Sequence, residues 1–307
     1  MTGQTATPGG APAPTIGIGQ RDRRWAATRR FCGAPGLGAL VVAGVRGRES
    51  FETYLSNESL QGVVVFPQLG EPVYLSWSAF WIIGRSDPDN DCAYWIEDIR
   101  AGLLGPLVVK ALRELRLERS RIGVVGVASR NPMELEGCVP CTVWQHVISE
   151  LAGCEFVEVS APYSLLMMEK DEQELALARH CAAVGEQACR AMLEVTRSGC
   201  LESDIYAEVL STIYRAGLTV TAPALIVKSG RDRLSWGPPE WGVAAVPPRR
   251  IAEHDLVYAE LMPSYGGIET QQEMTVAVGG PGPPGPPAGR GGPGPPPRRG
   301  WRCCAPG

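Results

Sequence analysis

From Pro281 the chain reads PGPPGPPAGRGGPGPPPRRGWRCCAPG, and no packed fold can run through that stretch. Proline fixes φ and lacks the N–H that a helix or ladder needs, and glycine loses the most entropy on ordering. A collagen-like segment would keep the Gly-Pro-Pro period, but the period breaks after two repeats. Pro, Gly, Arg and Ala are what GC-rich codons yield out of frame. The expectation is that residues 281–307 form a disordered, frame-shifted tail and that folding is confined to the residues before it. The body has the same codon signature, since its only lysines are Lys110, Lys170 and Lys228.

Immediately before the tail, His254 to Gly279 reads as two strands joined by a Pro-Ser-Tyr-Gly-Gly turn. The first strand carries Glu260. The second carries Glu269, Gln271 and Glu273 at alternate positions, so these three share one face of a pleated strand. Acid and amide groups on facing strands suit oxygen-ligand metal binding or general-base chemistry. The competing reading is a solvated strand face, because alternation is also the ordinary pattern of a half-buried strand.

Length and charge narrow the classes. The 307 residues fit two domains, and 44% hydrophobic content is enough for real cores. The net charge is −4; the tail holds Arg290, Arg298, Arg299 and Arg302 and no acid, which leaves −8 on the rest. That balance argues against nucleic acid or an anionic membrane as partner. Residues 1–20 are small and polar with no apolar signal region, and read as a disordered leader. No run is long enough to span a membrane. The ten cysteines show no disulfide-module spacing, which suits free thiols in a cytoplasmic protein. Cys138-Val-Pro-Cys141 is a lone CxxC. A redox pair, half of a zinc site and a loop before the next helix all remain open for it.

The body divides into two patterns. Residues 21–34 read as an Arg-rich helix, followed by short β-branched runs at 39–43, 62–66 and 72–76. A helix at 106–117, a strand at 121–127, a helix at 142–152 and a strand at 155–159 complete an α/β domain over 21–160. Gly33-Ala-Pro-Gly36-Leu-Gly38 precedes a strand instead of opening a helix, so its context is wrong for a phosphate loop. Residues 171–197 form the longest helix. Leu175, Ala178, Ala182, Cys189 and Met192 mark its apolar face, with Gln173, Glu174, Arg179, Glu186 and Arg190 on others. A helix at 203–216, a strand at 219–228, a Trp- and Pro-rich loop and the hairpin give an α+β unit over 161–280.

The order of these features is specific. Met168-Glu-Lys-Asp-Glu-Gln-Glu174 opens the long helix, Ser198-Gly199-Cys-Leu-Glu202 leads into the next, and Ala224-Leu-Ile-Val-Lys-Ser229-Gly230 is a strand closing on Ser-Gly. His254-Asp255-Leu-Val then leads to Glu260 and the Tyr-Gly-Gly hairpin. This resembles the first half of the pita-bread fold of the creatinase, prolidase and Xaa-Pro aminopeptidase family, and residues 21–160 resemble that family's amino-terminal domain. The fold implied is an α/β creatinase-like domain followed by an incomplete α+β pita-bread domain. The activity implied is hydrolysis of a peptide or a small C–N substrate, and a homodimer is the expected assembly. The peptidase members hold two divalent cations (manganese, cobalt or zinc) on two hairpin aspartates and on a histidine and two glutamates later in the chain. Matched by position, the first aspartate falls on Glu260 and the second on Gln271. A neutral amide is a poor bridge between dications. Glu269 and Glu273 are the auxiliary candidates. Where the family has a pocket histidine this chain has Trp236 and Gly237, and the later ligands have no counterpart before the tail. Creatinase itself hydrolyses without a metal, so the pattern also suits a non-peptidase branch.

The expectation is thus a family hydrolase with an incomplete active site, catalytic residues unidentified, and weak or no metal binding. The alternative is a non-catalytic dimerisation or binding protein that uses Trp77, Phe80, Trp81, Tyr94 and Trp95 as an aromatic surface, residues that otherwise belong to a core. His146, His180 and His254 read as structural.

Overall fold

The computed structural model describes residues 13–44, 51–58, 62–83, 95–128, 139–230 and 237–280, without the side chains of Trp81, Ile83 and residues 221–225. Tyr94, Cys92, Cys138, Trp236 and the tail at 281–307 lie outside the described residues.

Helix α1 (Ile18–Gly33) starts inside the stretch read as leader, and its Gln20 is buried. Gly17 and Gly19 weaken the helical signal there, while packing against the rest of the fold overrides it. After Gly36, whose φ of 68° places it in the left-handed region, the chain enters β1 (Ala39–Ala43). The glycine-rich segment is therefore a helix-to-strand connection. There follow α2 (Thr53–Ser56), β2 (Val63–Pro67), β3 (Val73–Ser76), α3 (Phe80–Ile83), β4 (Asp98–Ala101), α4 (Leu104–Glu114), β5 (Arg121–Val125), α5 (Cys141–Glu150) and β6 (Glu155–Glu158). The six strands form one mixed sheet in the order β4-β3-β2-β1-β5-β6. β1 pairs antiparallel with β2 and parallel with β5. Buried on both faces, β1 and β2 are continuous apolar runs, as central strands should be. One face packs on α1, α2 and α6 through Trp25, Leu40, Phe66, Tyr74 and Tyr163, the other on α4 and α5 through Val41, Val65, Leu112 and Val147.

Helix α6 (Ser160–Met168) is absent from the sequence reading. Its Tyr163 is buried in the same cluster as Trp25 and Phe66, so it packs on the six-stranded sheet. Ser160, Ala161 and Pro162 at its start hide its periodicity.

The rest consists of α7 (Glu172–Val195), α8 (Glu202–Arg215), β7 (Thr219–Gly230), α9 (Glu240–Val243), β8 (Leu256–Tyr265), β9 (Ile268–Glu269) and β10 (Gln272–Ala277). These four strands form an antiparallel sheet ordered β10-β8-β7, with β9 paired to β8. Helices α7 and α8 cover the face that carries Val227, Val257, Ala259, Leu261 and Val276. The buried stripe of α7 is Glu174, Leu177, Cys181, Val184, Gly185, Ala188 and Met192. This corrects the face read from Leu175, Ala178, Ala182 and Cys189: the pattern is rotated by about one residue, and of that face only Met192 is fully buried. Two causes are visible. Glu174 is drawn inside by arginines, and Gly185 admits Gln272, whose side chain a β-carbon at residue 185 would strike.

Candidate functional site

The hairpin forms with one offset throughout. Glu260 lies directly opposite Glu273, Leu261 opposite Gln272, and Ser264 opposite Glu269. The ladder breaks between β9 and β10 because Pro263 has no N–H to donate; its carbonyl still accepts from the Thr270 N–H at 3.1 Å. As the offset is the same on both sides of Thr270 and Gln271, the break is not a bulge. Glu269, Gln271 and Glu273 therefore share a face with Glu260, and this face points away from α7 and α8.

The members of this face differ in burial. Glu260 is 5% exposed, whereas Gln271 and Glu273 are exposed and Glu269 is half-buried. Glu260 also lies opposite Ile226 of β7, so its carboxylate sits between an apolar neighbour on one strand and a second acid on the other. Two carboxylates directly across a ladder repel. Tyr258 is one step along the same face. Burial first, then the charges of Glu273 and Glu260, push its phenol above the ordinary tyrosine range. Gln271 Nε2 donates to Glu269 Oε1 at 3.5 Å, so the amide turns its donor side to a carboxylate. The residues present do not fit a two-cation centre. Gln271, the position that the resemblance matches to the second acid, is neutral and exposed, and among the described residues no group of three His, Cys, Asp or Glu side chains is placed to hold a metal ion.

A second polar cluster holds the loop between β7 and β8. Glu202, the first residue of α8, is 2% exposed. Its Oε1 accepts from the Ser229 N–H at 3.0 Å and the Ser229 hydroxyl at 2.5 Å, and its Oε2 accepts from Trp241 Nε1 at 3.2 Å. Arg249 Nη1 donates to the Ser229 hydroxyl at 2.8 Å and to Asp255 Oδ2 at 2.6 Å. Burial raises the Asp255 carboxyl, but the Arg249 guanidinium and the Ala252 N–H outweigh it and hold the group below its ordinary value. Sequence reasoning used Ser229, Glu202 and Asp255 only as markers of order. The available signal was an acid at a helix start, three residues after a glycine.

Of the histidines, His254 adopts φ of 64° in the turn before β8, which makes it a turn residue. His180 stacks edge-on against Tyr265 at 5.1 Å, with burial lowering its affinity for a proton. His146 packs over Gly105. Among the aromatic candidates Trp95 is core at 1% exposed, whereas Trp77 and Phe80 are exposed. Cys32, Cys181 and Cys200 are buried free thiols and Cys154 and Cys189 are half-buried, with burial pushing Cys32 to about 12 and Cys181 to about 11. Cys141 is exposed at the first turn of α5. None of the described helices is long and apolar enough to cross a membrane.

No family model matches the sequence, and no curated protein does. Solved structures do match. An X-Pro aminopeptidase from Thermotoga maritima MSB8 superposes with a TM-score of 0.67 at 15% identity, over 84% of this chain and 66% of that one. A prolidase from Pyrococcus horikoshii OT3 gives 0.63 at 18% identity, and a Xaa-Pro dipeptidase from Bacillus anthracis 0.62 at 18%; each match covers 85% of this chain and 66% of the other. The chain thus spans just under two thirds of the length of these structures, and at these identities the likeness is one of fold.

Proposed function

We propose that this chain is a hydrolase-type protein of the Xaa-Pro peptidase fold, built for a peptide or small C–N substrate, whose hairpin holds no more than one weakly bound divalent cation. Support comes from the placement of Glu260 and Gln271 on the face where the family resemblance puts its metal-bridging acids, with an amide in the second position. Glu260 and Glu273, directly across the ladder from each other, are the two carboxylates that would hold a single manganese, cobalt or zinc ion. A lone cation held by few carboxylates binds weakly, and two dications without a bridging acid repel.

The test is elemental analysis of the chain after dialysis, with Xaa-Pro dipeptide hydrolysis assayed with and without manganese. The expected result is less than one equivalent of metal retained and no manganese-dependent hydrolysis. Gln271→Asp should raise manganese affinity about tenfold or more by restoring the bridging charge. Retention of two equivalents by the unmodified chain would overturn the reading.

A second reading is a dimerisation or binding protein. It is favoured by one observation: Trp77 and Phe80, 51% and 84% exposed, follow β3, and Leu103, 79% exposed, follows its parallel neighbour β4 at the same end of the sheet. Light scattering after size exclusion tests it. A dimer that Phe80→Ser converts to monomer would favour it, and a monomer at micromolar concentration would exclude the dimer form.

A further inference from the structure

The hairpin is wedged into a closed circuit of contacts that runs through both sheets' helices. On α7, Glu174 is fully buried, caps its own helix by a reciprocal bond with Asp171, and takes Arg24 Nη2 at 2.8 Å. Arg23 also pairs with Glu174, and reaches Asp171 at 2.9 Å. Arg24 Nη1 donates onward to the Tyr54 carbonyl of α2 at 3.2 Å. Its guanidinium lies between the Tyr54 and Trp95 rings, 4.7 and 5.3 Å from their centroids. Trp25 Nε1 donates to the next carbonyl, Leu55, at 2.8 Å. Two of the carbonyls that the four-residue helix α2 leaves without an internal partner are thus held by α1. The first residue of α2, Thr53, meets the hairpin turn: a β-carbon on Gly267 would stand 3.2 Å from Thr53 Cγ2. On its other side, a β-carbon on Gly266 would stand 3.0 Å from Leu177 Cδ1, back on α7.

We propose that Arg24 is a positioning residue for the β8–β9 turn: by joining Glu174 to the α2 carbonyl it holds Thr53 against Gly267 and so fixes the acid and amide face of the hairpin. Arginine suits this role because its planar fork holds donors on two nitrogens, Nη2 facing the carboxylate and Nη1 the carbonyl. The two glycines at the turn, both at positive φ, let the backbone approach both walls. The role does not depend on the chain's being a hydrolase. It makes the six-stranded part of the molecule a component of the hairpin's scaffold.

The test is amide hydrogen exchange on the full chain, comparing the turn at 264–272 with α8 and with β1–β2 as internal references. Arg24→Gln should speed exchange at the turn by about tenfold or more while α8 and β1–β2 change far less. Thr53→Ser keeps the hydroxyl that donates to the Glu58 carbonyl at 2.9 Å and deletes only the methyl facing Gly267. It should speed exchange at the turn by about threefold and nowhere else. If Arg24→Gln fails to fold, Glu174→Gln takes its place beside Thr53→Ser. Uniform acceleration across the chain in the arginine or glutamate variant, or an unchanged turn in Thr53→Ser, would overturn the proposal.

Discussion

At the scale of the residue, Glu52 is the group most out of place. It is 2% exposed beside Gly44, its Oε2 has no hydrogen-bond partner among the described residues, and burial raises its pKa from 4.5 to about 8 against two opposing backbone bonds. Folding therefore tightens its hold on a proton. Its contribution to stability is complete below pH 4.5 and is lost as the pH rises through about 8. The expected slope over that window is about 1.4 kcal/mol per pH unit. Glu52→Gln should abolish that slope, as read from urea midpoints at pH 5, 6, 7 and 8; a variant that keeps it would place the titration elsewhere. Gly267 gives a second prediction. Its φ of 76° and its closeness to Thr53 mean that Gly267→Ala adds left-handed strain and a tight contact together. The expected loss is about 1–2 kcal/mol in chemical denaturation.

At the scale of the element, the loop between β7 and β8 hangs on one carboxylate. Glu202 accepts from Ser229 twice and from Trp241, and so joins the start of α8 to the end of β7 and to α9. Tyr206, one turn along α8, stacks edge-on against Trp241 at 5.3 Å. Glu202→Gln replaces one acceptor oxygen by a donor facing donors, which leaves buried groups unmatched at a cost of about 2–3 kcal/mol. Trp241 fluorescence in that variant should shift to the red, as the indole loses its partner and meets water. An unshifted spectrum would mean that α9 is held by other contacts. The elements themselves were mostly legible in the sequence. β1, β2 and β3 are short β-branched runs with clear ends, and α8 keeps its period between Glu202 and Gly217. The α7 face was misread because an apolar period cannot register a buried glutamate whose partners lie about 150 positions earlier. Helix α6 was missed because packing on the six-stranded sheet, not its own pattern, makes it helical.

At the scale of the whole molecule, the question is whether the two sheets fold apart. The sequence divides into an α/β pattern over 21–160 and an α+β pattern over 161–280, as two separately folding domains would. Yet β8 is buried on both sides through Ala259–Ser264, with Met262 and Ile226 at 0% exposure on the side away from α7 and α8. Arg24 and Glu174 are likewise buried and oppositely charged across the junction, and parting them would strand two charges in apolar surroundings. Limited proteolysis of the full chain should therefore leave a resistant product extending past residue 161 to about residue 280. A stable fragment ending near 160, with rapid loss of the remainder, would show that the junction is weak.

The sequence by itself determined the local structure of the hairpin, since the period of two, the Gly-Gly turn and Pro263 are properties of neighbouring residues. It also determined that Glu269, Gln271 and Glu273 share one face, because alternation in a pleated strand needs no knowledge of the rest. Only the tertiary structure decided that Glu260 is buried while Gln271 is exposed, that Glu273 stands across from Glu260, and that Arg24 and Glu174 meet. Register and burial depend on which segments, far apart in the chain, are pressed together. The charge of a side chain is written in the sequence, but its partner is chosen by the fold.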